Sequence, residues 1–112
     1  MDKLTRINLL FDFYGAMLTE RQGKFIDLYY CHDLSLGEIS EQFGVSRQSV
    51  HDTLKRSEDS LRKFEEKLGL VEKFLDQRDR LDRALRHLNN GSYTDIQKAK
   101  QILTDLIQAE ES

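Results

Sequence analysis

A chain of 112 residues with no proline, 33% charged and 38% hydrophobic residues has the composition of an ordered helical protein. Its length fits one domain, or one domain with an appended helical element. The formal net charge of −3 excludes the overall basic character common among nucleic-acid binders, so any such affinity has to come from a local field.

The first helix is expected from about Leu4 to Met17, with Leu4, Ile7, Phe11, Tyr14 and Leu18 at helical spacing. Leu10, Phe13 and Met17 widen that stripe beyond one face, so the helix should be buried on two sides. Gly15 would allow another helix to approach closely. Thr19 with Gln22 forms a capping box that opens a second helix, Glu20 to about Cys31, whose inward face is Phe25, Leu28 and Tyr29. Cys31, the single cysteine, has no partner for a disulfide or a cysteine metal site and is expected as a small buried hydrophobe. Asp33 and Ser35 break this helix, and His32 at the break reads as a surface or capping histidine.

From Ser35 to Arg56 the chain reads SLGEISEQFGVSRQSVHDTLKR, and four positions in it agree on one motif. Ser35 and Glu38 make a capping box that starts a short helix with Ile39 and Phe43 turned inward. Gly44 stops that helix in a left-handed conformation, and Val45 plugs the turn. Ser46 caps a second helix that buries Val50 and Leu54. Together these form a helix-turn-helix signature. The outer face of the second helix carries Arg47, Gln48, Ser49, His51, Asp52 and Lys55. Arg, Gln and Ser at the start of such a helix can reach base edges in a major groove, with His51 beside them. Lys55 and Arg56 are better placed for phosphates. Between Val45 and Ser57 the cations Arg47, Lys55 and Arg56 stand against Asp52, a local surplus of two. Such a footprint predicts weak DNA binding by a monomer and useful binding by a dimer. The competing reading of these residues is a compact helical corner with a solvated polar face.

The run GEISEQFGVSRQSVHDTLKRSEDSL resembles region four of bacterial sigma factors and the related response-regulator output helices. Extended through LLFDFYGAMLTERQGKFIDLYYCHDLSLGEIS, the resemblance covers nearly the whole chain and is to the small bacterial YlxM-like proteins. That family implies helix-turn-helix proteins encoded beside signal recognition particle components. It further implies a role in or regulation of that pathway, through DNA or through a signal recognition particle protein or RNA.

After Leu54 the second motif helix continues through Leu61, Phe64 and Leu68, and Gly69 is the first residue suited to end it. The helix should therefore exceed about twenty residues. From Leu70 to about Leu88, Phe74, Leu81 and Leu88 recur every seven residues with Val71, Arg78 and Leu85 beside them, a short coiled-coil-like seam. Asp79–Arg83 and Asp82–Arg86 are expected flanking pairs. Asn89, Asn90 and Gly91 should end this helix, and Thr94 with Gln97 should cap a last one, Asp95 to about Ala109. Its apolar side is Ile96, Ala99, Ile102, Leu103 and Leu106.

The expectation is an all-α fold of about five helices. Residues 1–69 would form the helix-turn-helix domain with its long recognition helix, and residues 70–112 a C-terminal helical hairpin serving as a packing or dimer element. No glycine-rich phosphate loop or metal-spaced histidine pair is present, and His32, His51 and His87 lie far apart. No catalytic residue, metal or cofactor is therefore expected. The apolar runs fall far short of a membrane span and no leader precedes a cleavage site, which predicts a cytoplasmic protein. Two functions follow: a DNA-binding regulatory protein reading DNA through Arg47, Gln48, Ser49, His51, Lys55 and Arg56, or an accessory protein that binds a signal recognition particle component without binding DNA. A homodimer is expected in either case.

Overall fold

The computed structural model describes residues 1–111; Ser112, the last residue of the expected C-terminal hairpin, lies outside them. Six α-helices form, where about five were expected: α1 (Lys3–Tyr14), α2 (Glu20–Ile26), α3 (Leu36–Phe43), α4 (Arg47–Leu68), α5 (Leu70–Asn90) and α6 (Tyr93–Glu111). The described residues contain no strand. The fold is all-α.

Two compact units divide the chain, Met1–Val71 and the residues from Glu72 onward. In the first, α4 packs against α1, α2 and α3. Ile7, Leu10 and Tyr14 of α1, Phe25 and Ile26 of α2, Ile39 of α3, and Val50 and Leu61 of α4 are fully buried. Removing these apolar side chains from water is the main favourable term in holding the four helices together. Leu4 and Met17 stay exposed, so α1 is less completely enclosed than its composition suggested. It starts one residue early because Asp2 accepts from the Thr5 N–H at 2.7 Å, and it gives way at Gly15 to a 3₁₀ turn, Gly15–Met17. A Cβ at Gly15 would lie 2.7 Å from the Phe11 ring, and Gly23 of α2 comes near enough that a Cβ there would lie 4.0 Å from the Gly15 carbonyl oxygen.

The capping box of α2 forms as expected, Thr19 Oγ1 accepting from the Gln22 N–H at 3.2 Å and the Gln22 side chain accepting in return. The α-helix ends at Ile26, however, and the chain passes through a π turn, Asp27–Cys31. Inserting one residue into the turn rotates everything after it. Cys31 is consequently exposed rather than buried. Partial burial and the Asp27 carboxylate both push its thiol up, so it is not an activated thiolate either. His32 is at the surface, 3.4 Å from Asp27.

In the second unit α5 and α6 run antiparallel: Gln77 donates to Glu110 at 2.9 Å, while His87 at the other end lies 2.8 Å from Asp95. Asn89 and Asn90 remain helical, and Gly91 alone breaks the chain, at φ +75°. The expected Thr94/Gln97 box does not cap α6. Ser92 does so, two residues earlier, accepting from the Asp95 N–H at 3.1 Å and donating to the Asp95 carboxylate at 2.7 Å. That hydroxyl first, and then His87, hold the Asp95 carboxyl below its ordinary range. Asp79–Arg83 pairs at 3.1 Å and Asp76–Arg80 at 3.2 Å, but the expected Asp82–Arg86 pair does not form. Ala84 and Ala99 are the buried residues of this unit, whereas Leu81, Leu85 and Leu88 are 48%, 57% and 46% exposed. The heptad seam is thus only partly covered: Leu81 lines a shallow recess with Leu106 and Ile107 of α6, yet about half of it stays open.

Candidate nucleic-acid interface

The α3–turn–α4 segment is built by local chemistry at four points. Ser35 Oγ accepts from the Glu38 N–H and Glu38 Oε1 accepts from the Ser35 N–H, both at 3.0 Å. These bonds to the charged carboxylate hold Glu38 below its usual range. Gly44 ends α3 at φ +66°, ψ +36°, a conformation in which a Cβ would be strained. Half-buried Val45 donates its N–H to the Ser40 carbonyl at 3.1 Å, which closes the turn. Ser46 Oγ then accepts from the Ser49 N–H at 3.0 Å and starts α4.

Val50 and Leu54 bury the inner face of α4 as expected, but the buried stripe is wider than those two residues. Thr53, Ser57 and Glu58 are enclosed as well, with the Ser57 hydroxyl donating to the Thr53 carbonyl at 2.6 Å. On the outer face Arg47, Gln48, Ser49, His51, Asp52, Lys55 and Arg56 are all exposed. The Arg47 guanidinium folds back over Gly37 of α3, so close that a Cβ there would lie 3.0 Å from it. A glycine in the first turn of α3 is therefore what gives this arginine its resting place. Gln48 Nε2 donates to Asp52 Oδ1 at 2.9 Å, and His51 Nδ1 lies 3.5 Å from the same oxygen. Asp52 thus turns back along the helix rather than pairing with Arg56. Arg47, Lys55 and Arg56 make no ion pair among the described residues.

Glu58 is the residue of this region that spacing alone did not single out. It is 7% exposed, yet it holds Lys3 at 3.0 Å and Arg62 at 3.7 Å. Arg62 is shared with Asp59 at 3.4 Å. Burial, and then the Glu58 charge, push the Tyr30 hydroxyl strongly upward, so it stays protonated. The signal was present in the sequence, since Glu58 falls on the buried stripe between Leu54 and Leu61. A carboxylate there needs partners to offset its desolvation.

Among the described residues no group of three or more His, Cys, Asp or Glu side chains could hold a metal ion, and no helix is long and apolar enough to cross a membrane.

Comparison with known proteins gives the same architecture a family. The family model described as "Putative helix-turn-helix protein, YlxM / p13 like" (UPF0122) matches residues 1–107. A UPF0122 protein of Desulforamulus reducens is 49% identical, over 96% of each chain. UPF0122 proteins of Bacillus cereus (strain AH187) and Bacillus anthracis (strain A0248) are each 47% identical, over 92% of this chain and 93% of theirs. With a model match over nearly its whole length and relatives this similar, the chain belongs to the UPF0122 family of YlxM/p13-like helix-turn-helix proteins.

Proposed function

We propose that the protein is a DNA-binding regulatory protein that reads duplex DNA with α4. The observation that carries this is the outer face of α4, where three cations without ion pairs, Arg47, Lys55 and Arg56, lie beside Gln48, Ser49 and His51 on a capped, well-packed helix. In this reading Arg47 and Gln48 approach base edges with Ser49 and His51 beside them, and Lys55 and Arg56 hold phosphates. The Gln48–Asp52 bond fixes the amide and draws the carboxylate away from the phosphate positions. Residues 1–69 serve as the DNA-binding domain and the C-terminal hairpin as the element that pairs two copies. Catalysis, metals and cofactors have no part in this reading, and its setting is the cytoplasm.

The test is a titration against random duplex DNA at two salt concentrations. Arg47→Ala should cost about 1–3 kcal/mol at the preferred sequence and relax specificity there. Lys55→Ala should weaken every sequence alike and flatten the salt dependence by about one charge. Absence of salt-sensitive binding at low ionic strength would rule the reading out.

The net charge of −3 and the exposed Leu81, Leu85 and Leu88 favour a second reading, in which the protein binds a signal recognition particle component instead. The same apolar row supports a homodimer at roughly micromolar concentration, an affinity of about 8 kcal/mol. Light scattering should give twice the 13.2 kDa chain mass. Leu81→Glu with Leu88→Glu should return the mass to that of one chain, and a monomeric wild type would contradict the expectation.

A further inference from the structure

Beside the outer face of α4 lies a recess of about 380 Å³, within the first unit, whose walls combine aromatic rings with cations. Tyr29 and Tyr30 line it, their rings edge to face at 81° with centroids 5.0 Å apart. Lys3, Lys55 and Arg62 line it as well, with Glu58. Lys3 and Arg62 are held by the Glu58 carboxylate, whereas Lys55 makes no ion pair among the described residues. The surrounding charge is therefore positive in a chain that is acidic overall. The volume is at the small end of ligand pockets and suits a single nucleotide.

We infer that this recess takes one unpaired nucleotide, its base against Tyr29 and Tyr30 and its phosphate among Lys3, Lys55 and Arg62. Aromatic faces with interleaved cations are what single-stranded nucleic acid requires, because every base has a π-face to stack and every linkage a charge to neutralise. A base inside a duplex is already stacked on its neighbours and cannot enter. The buried Glu58 acts as a positioning residue: it gathers the two flanking cations, Lys3 and Arg62, into one place beside the tyrosines. Lys55 lines the recess and also stands on the duplex-facing side of α4, so a strand leaving the duplex there meets the tyrosines. The inference rests on the duplex reading only for that direction of approach. The preferred ligand is then a duplex with a short single-stranded extension, in RNA or DNA.

The experiment compares a blunt duplex, the same duplex with an overhang of a few nucleotides, and the overhang strand alone, each as RNA and as DNA, by fluorescence anisotropy of a labelled strand. The overhang should tighten binding at least about fivefold, from stacking of a single base. Tyr29→Leu should erase that gain and leave blunt-duplex affinity unchanged; Tyr30→Phe, which keeps the ring, should preserve most of it. If circular dichroism shows Tyr29→Leu unfolded, Lys3→Ala, at an exposed cation, takes its place and should reduce the same gain. Equal binding of blunt and overhang duplexes overturns the nucleotide site and leaves the duplex reading standing. Tyr29-dependent binding of the single strand without any blunt-duplex binding supports the site and overturns the duplex reading. Loss of blunt and overhang binding together in folded Tyr29→Leu overturns the site, and no binding of any ligand at low ionic strength overturns both.

Discussion

Phe25→Ala should lower the stability of the helix-turn-helix unit by about 3–5 kcal/mol, the usual cost of deleting a buried phenylalanine ring. Phe25 is fully buried and meets Phe43, the last residue of α3, edge-on at a centroid distance of 5.0 Å. Such an aromatic pair contributes about 0.5–1.5 kcal/mol beyond the area it buries. The Arg21 guanidinium lies over both rings, 5.7 Å from Phe25 and 5.8 Å from Phe43, and loses a partner with the truncation. Because Phe43 ends α3 immediately before Gly44, the cavity opens beneath the motif itself. Urea unfolding followed by circular dichroism measures the loss, and Phe43→Leu should cost less because it keeps most of the apolar volume. A drop of under about 1 kcal/mol for Phe25→Ala would mean that α3 is held in place by something other than this contact.

The parts of the fold that were legible in the sequence are those decided within one helical turn. The Thr19 and Ser35 boxes, the Ser46 cap and the left-handed stops at Gly44 and Gly69 all depend on residues no more than four positions apart. The start of α6 was misread because two frames compete there, Ser92 with Asp95 and Thr94 with Gln97. Gly91, at φ +75°, decides between them by ending α5 late and leaving Ser92 at the cap. Cys31 was expected buried because a lone cysteine without a partner usually serves as a small hydrophobe, but the π turn after Ile26 adds a residue to the repeat and Cys31 stands exposed. The heptad through Phe74, Leu81 and Leu88 follows the large apolar residues, yet in the hairpin small Ala84 and Ala99 are the ones fully covered, while Leu81, beside Leu106 and Ile107, stays 48% exposed. Apolar periodicity identifies a greasy face without saying which neighbour covers it.

For the candidate interface, spacing was enough to separate the outward residues of α4 from Val50 and Leu54. It could not reveal that Arg47 rests on Gly37, since that contact depends on the angle between α3 and α4. Nor could it join Lys3 and Tyr30 to Glu58, whose meeting requires α1, the π turn and α4 to pack together. The choice of Gln48 rather than Arg56 as the partner of Asp52 was open in sequence, because both lie four residues away.

Tyr14→Phe should cost about 1.5–3 kcal/mol, the range for hydrogen bonds to a charged group, although it removes a single oxygen. That oxygen stands at the joint between α4 and α5. Gly69 precedes α5 and offers no side chain to cap it, so the first N–H groups of the helix depend on distant residues. The Tyr14 hydroxyl donates to Glu65 Oε1 at 2.5 Å and accepts from the Leu70 N–H at 3.0 Å, and the same Glu65 oxygen accepts from the Val71 N–H at 3.0 Å. Phenylalanine fits the space but strands the Leu70 donor and takes a donor from Glu65. The variant should also change the alkaline behaviour. Burial first, and then the Glu65 bond, raise the Tyr14 hydroxyl above its ordinary value of 10.0. The unfolded chain therefore releases that proton before the folded one does. The stability Tyr14 contributes is complete below about pH 10 and is lost as pH rises towards its folded value. Urea midpoints at about pH 8 and pH 11 should fall more for wild type than for Tyr14→Phe. Tyr30, also raised, contributes a similar loss, which Tyr30→Phe removes separately. Equal losses in wild type and Tyr14→Phe would mean that the hydroxyl does not hold the joint.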